Sequence, residues 1–148
     1  MALTTTILKK VANTAVMHFK QSFQDEGFTD ENLVKWKEVR RREDSRNFKT
    51  VARGKNKGTV RAKNANGKRK ILTGTGDLGR SIQSKIEPGK VTVISDVPYA
   101  SAHNEGTNNA GRNRNVTIPK RQFIGDSKVL NEKINNVITD ELDKILGI

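Results

Sequence analysis

Between Arg40 and Lys70 the chain reads RRREDSRNFKTVARGKNKGTVRAKNANGKRK: thirteen Lys or Arg, two acids and one aromatic, Phe48. A stretch so poor in large apolar residues cannot bury enough surface to offset the entropy of ordering it. It is expected to be a long, mobile or extended loop, or a hairpin arm, with the ordered elements on either side. Its surplus of eleven positive charges leaves the remainder of a +12 chain close to neutral. The basicity belongs to a segment, and this limits what it says about the folded body.

A length of 148 residues fits one domain with one modest core, expected to span 1–148. Apolar residues make up 33% of the chain, below the globular average, so part of it is expected outside any core. No apolar run approaches the ~18 residues of a membrane span, so no membrane association is expected. The first twenty residues lack the basic start, apolar block and small-residue cleavage site of a secretory signal. With no cysteine, disulfide frameworks, thiolate zinc sites and Cys nucleophiles are excluded, and assembly inside a cell is comfortable.

Periodicity supplies the elements. Residues 3–23 read as an amphipathic helix, with Ile7, Val11, Ala15, His18, Phe19 and Phe23 recurring at three- and four-residue spacing and Gly27 placed to end it. His18 lies beside this stripe and is expected to pack or face solvent. A short segment around Leu33–Trp36 follows, and Trp36, the only tryptophan, is expected to anchor the fold. Arg80–Glu87 and Lys90–Asp96 alternate as two strands around Glu87-Pro88-Gly89-Lys90, which has the Pro and Gly placement of a type II turn. Asp96 to Gly106 reads as a short helix capped by Asp96, with Pro98 in its first turn and Gly106 as its stop. Thr107–Asn115 is expected to be a polar loop, and Val116–Pro119 a short strand. Residues 127–146 form a second amphipathic helix, capped by Asp126 or Ser127. The expected fold is α+β, with N- and C-terminal helices packed on a small antiparallel sheet across residues 71–125 and a basic arm at 40–70.

Two stretches invite a catalytic or ligand-binding reading. Tyr99-Ala100-Ser101-Ala102-His103-Asn104-Glu105-Gly106 contains His-x-Glu, but a zinc deaminase also needs a later Cys-x-x-Cys, and residues two apart on a helix do not face each other. Tyr99 and His103, spaced i,i+4, are instead expected to pack on one face. Gly74-x-Gly76-x-x-Gly79 has the letters of a dinucleotide fingerprint without the βαβ unit that gives them meaning. No catalytic residue, cofactor site or metal site is expected. The basic segment has the charge for salt-dependent nucleic-acid contact but almost no aromatic residues for base stacking.

The order of three blocks resembles the phage virion morphogenesis family, the tail-completion proteins related to the Mu-like G protein. The blocks are Leu72-Thr73 with Gly76-Asp77-Leu78-Gly79-Arg80-Ser81-Ile82, then Tyr99-Ala100 with His103 and Gly106, then Pro119, Arg121 and Phe123-Ile124-Gly125. Glu105-Gly106-Thr107 is also similar to related neck and tail-completion families. The resemblance implies a non-enzymatic structural protein of the head–tail neck, forming a homo-oligomeric ring between a tail terminator or tube and head–tail connector proteins. It would reside in the virion after assembly in the bacterial host cytoplasm, with nonspecific DNA contact. Tyr99, His103, Gly106, Pro119, Arg121 and Phe123 are expected to fix the corner between sheet and helix. Arg40–Lys70 and Asn108–Asn115 would be interaction loops, the first through Arg41, Arg42, Arg46, Arg53, Lys55, Arg61, Lys68 and Arg69. The alternative function is a small basic nucleic-acid-binding protein.

Overall fold

A computed structural model describes residues 2–43, 48–63 and 68–148. Two long helices frame the chain: α1 (Ala2–Asp25) and α5 (Lys128–Leu146). Between them lie β1 (Gly27–Thr29), β2 (Leu33–Lys35), α2 (Arg40–Glu43), β3 (Phe48–Thr50), β4 (Val60–Ala62), α3 (Asp77–Arg80), β5 (Ile82–Glu87), β6 (Lys90–Ser95), α4 (Ala100–Glu105), β7 (Thr107–Ala110) and β8 (Val116–Ile118). The α+β expectation holds. The sheet component is distributed over four two-stranded antiparallel ladders, β1–β2, β3–β4, β5–β6 and β7–β8, where the sequence suggested one small sheet.

The core forms where β5–β6 and β1 are pressed against α1, since a lone two-stranded ribbon is marginal in water. α1 packs on α5 and on both strands of β5–β6. The β5–β6 register, Ile82↔Ser95, Ser84↔Val93 and Ile86↔Val91, puts those six side chains on one face, and Ile82 is buried in the cluster with Phe19, Phe23 and Phe123. Gly89 has φ 72°, as the second central position of a type II turn requires. Ser127 caps α5, accepting from Leu130 N–H at 3.1 Å while donating to the Thr29 carbonyl at 2.8 Å.

Three local expectations need correction. α1 does end before Gly27, but the left-handed residue is Glu26, at φ 52°. Gly27 is required by crowding, because a Cβ there would lie 2.6 Å from the Val34 carbonyl oxygen of the paired strand. Asp96 does not cap α4, which starts at Ala100 with Tyr99 in the cap position and no side-chain cap bond. The polar stretch after Gly106 is in part a strand: β7 pairs Thr107 with Ile118 and Ala110 with Val116. Its asparagines disfavour the extended state intrinsically, and the pairing with β8 overrides them.

Candidate functional site

Two clusters gather the residues that the sequence singled out. The first is the corner where α4 meets the irregular segment 119–125 that follows β8. Gly106 ends α4 at φ 76°, and a Cβ there would stand 2.7 Å from Lys120 N, so only glycine admits this approach. The approach lets Arg121 N–H donate to the His103 carbonyl at 2.8 Å. Arg121 is only 7% exposed and has no carboxylate partner among the described residues. Its guanidinium donates to the Lys37 carbonyl at 3.1 and 3.0 Å and to the Glu38 carbonyl at 3.4 Å, fastening 37–38 to the corner.

Asn104, which the sequence reading passed over, closes the corner. Its Oδ1 accepts from Phe123 N–H at 2.9 Å and Ile124 N–H at 3.0 Å, while its Nδ2 donates to the Ile124 carbonyl at 3.0 Å. An asparagine in the last turn of a short helix is a poor helix former, and that was the available signal. Phe123 is fully buried and meets Phe23 at 5.2 Å between ring centroids. Trp36 packs edge-on against Phe23 at 5.6 Å and donates from Nε1 to the Gln122 carbonyl at 2.7 Å.

His103 and Tyr99 do share a face, their rings edge-to-face at 6.0 Å. Tyr99 is largely exposed, whereas the His103 Nδ1 is buried with no hydrogen-bond partner among the described residues. Burial, and then the Arg121 charge, push the imidazole below the ordinary histidine range. A cavity of about 170 Å³ separates these two rings from the glycine turn at 74–78. That is below the size usual for small-molecule sites. His18 is buried beside Phe19 and Phe28 and hydrogen-bonds the Thr29 carbonyl through Nε2 at 3.2 Å. Among the described residues no three His, Asp or Glu side chains are grouped to hold a metal ion.

The second cluster is the root of the basic segment, organised by Glu26. Arg42 grips the Glu26 carboxylate in bidentate fashion, at 2.6 and 3.1 Å, and Ile71 N–H donates to the same carboxylate at 2.6 Å. Burial alone would raise this carboxyl, but the Arg42 and Ile71 hydrogen bonds and the Arg42 and Lys70 charges hold it below the ordinary range. Arg41 donates to the carbonyls of Arg69 and Lys70 at 2.9 and 2.7 Å, and Lys70 Nζ to the Gln24 carbonyl at 2.9 Å. Residues 41–42 and 69–71 are thus stapled together at the end of α1. No local sequence pattern singles out Glu26, because the fold alone brings Arg42 and Ile71 to it.

Beyond the root stands the hairpin β3–β4. Its register, Phe48↔Ala62, Lys49↔Arg61 and Thr50↔Val60, puts Phe48, Thr50 and Val60 on one face and Lys49 and Arg61 directly opposite each other on the other. Arg53 and Lys55 lie in the exposed turn, and Lys68 and Arg69 are exposed where the segment returns. None of Lys49, Arg53, Lys55, Lys57 and Arg61 forms an ion pair with another described residue. Arg46 lies outside the described residues. Pro119 is half-buried in the segment that leads into the corner.

The described residues thus form an α+β body with an internally bonded corner and an outlying cationic ribbon. The model of the phage virion morphogenesis family matches residues 39–143, and the chain belongs to that family. The match takes in all three sequence blocks and the basic segment, and leaves α1, β1–β2 and Trp36 outside it. No curated protein and no solved structure matches the chain significantly. Membership makes the chain a structural component of phage virion morphogenesis that works against other phage structural proteins. No helix among the described residues is long and apolar enough to cross a membrane.

Proposed function

We propose that this protein acts, as a single domain, in the head–tail neck, in tail completion or head–tail joining, without catalysing a reaction. Its copies form a ring in the virion that meets a tail terminator or tube on one side and connector proteins on the other, after assembly in the bacterial host cytoplasm. The observation that carries the reading is the family match across 39–143, which joins the corner blocks and the cationic segment in one family pattern. The geometry fits it. The corner residues Tyr99, His103, Gly106, Arg121 and Phe123 hold the body, while Arg53, Lys55 and Arg61 stand free to meet a neighbour. A phage lacking the gene is the test. We expect full heads and separate tails in electron micrographs; joined, infectious particles would overturn the reading.

The unpaired cations of the β3–β4 hairpin favour one second reading, a small basic nucleic-acid-binding protein. Neutralising several phosphates makes affinity fall steeply with salt. Tight DNA binding with that slope, abolished by deleting residues 41–70 while virions still assemble, would favour it over the neck.

A further inference from the structure

The β3–β4 hairpin packs substantially on no other element among the described residues. An unsupported two-stranded ribbon is marginal in water, and this one also carries Lys49 directly across from Arg61. Its other face presents Val60, 67% exposed, beside Phe48 and Thr50. DNA alone would satisfy the cations and leave that apolar face wet. The chain holds a second uncovered surface of opposite character. At the end of α5, Leu142, Ile145 and Leu146 are exposed, with Leu142 and Leu146 one turn apart on the same side. Asp143 borders this stripe and forms no ion pair with described residues, and the helix C-terminus adds its own partial negative charge.

The hairpin and the α5 end do not pack against each other within one chain, so they can meet only between copies. We infer that the β3–β4 hairpin of one copy seats its Val60 face on the Leu142–Leu146 stripe of the next, with the cations of its turn, Arg53, Lys55 and Lys57, against Asp143 and the C-terminal end of α5. Both halves of the match, apolar and charged, are supplied by the same sequence. A contact between two different surfaces is head-to-tail, the kind that closes into rings. This deepens the ring reading above and rests on it.

The chain has no cysteine, so single-cysteine variants report the contact cleanly. Val60→Cys and Leu146→Cys full-length chains, mixed and oxidised, are expected to form a mixed disulfide dimer. Val60→Cys with Met17→Cys, an exposed site on the opposite helix, is the control and is expected to give none. In sedimentation, reversing the turn (Arg53→Glu, Lys55→Glu, Lys57→Glu) should weaken self-association by roughly tenfold or more, and adding Asp143→Lys should recover part of the loss. No excess of the mixed dimer over the control, a wild-type chain that stays monomeric, or a reversed turn that loses only DNA binding would each overturn the inference. The neck assignment would then still be decided separately by the head and tail morphology of gene-deleted phage.

Discussion

The corner around Arg121 and the hairpin β3–β4 treat positive charge in opposite ways. Arg121 is buried, and its guanidinium is bonded to two backbone carbonyls, so its charge fixes residues 37–38 in place. Lys49 and Arg61 are exposed and face each other across a ladder, and their side chains form no hydrogen bond or ion pair with described residues. One arrangement is complete within the chain and the other leaves its charges open. Stability should therefore reside in the corner and assembly in the arm, and variants can break that division from either side.

The largest effect is expected from Phe123→Ala. Emptying a fully buried aromatic site beside Phe23 should cost about 3–5 kcal/mol in denaturant unfolding. A cost below about 1 kcal/mol would remove Phe123 from the centre of the core. Next is Asn104→Ala, which leaves the Phe123 and Ile124 N–H groups without their acceptor. It should cost about 2–3 kcal/mol, measured the same way.

The histidines set a smaller, pH-dependent effect. Burial comes first in lowering both His18 and His103. The unfolded chain therefore binds protons first as pH falls below the ordinary histidine value of about 6.5. The resulting stabilisation is complete above that value and declines as pH drops through the folded values. The melting temperature should fall between pH 7 and pH 5, and His103→Phe should flatten the decline; an unchanged slope would show that His103 does not titrate with folding. Smallest of all, Lys49→Thr should change unfolding by no more than about 0.5 kcal/mol, towards stabilisation, by relieving the like-charge pair.

Legibility in the sequence follows the same division. α1, α5 and β5–β6 are stated by apolar periodicity, which reports burial directly, and Gly106 by the conformation that only glycine takes readily. The blocks that meet at the corner were visible as residue types, but the bonds joining them were not. Arg121 to the Lys37 carbonyl and Trp36 to the Gln122 carbonyl are side-chain contacts to backbone more than eighty residues away, and no local pattern records them. Glu26 escaped for the same reason, since its partners Arg42 and Ile71 are brought to it by the fold. β7 was hidden by asparagines that read as turn. The arm showed its charge in the sequence, while its two faces emerged only from the register of Lys49 with Arg61.

The most direct test replaces residues 49–61 with a short Gly-Ser turn in the phage gene and measures infectious titre beside the melting curve of the purified variant. The account predicts a body that unfolds within about 0.5 kcal/mol of the full chain and a phage that yields no joined particles. A variant equally stable and fully infectious would contradict it, because the arm would then have no part in assembly.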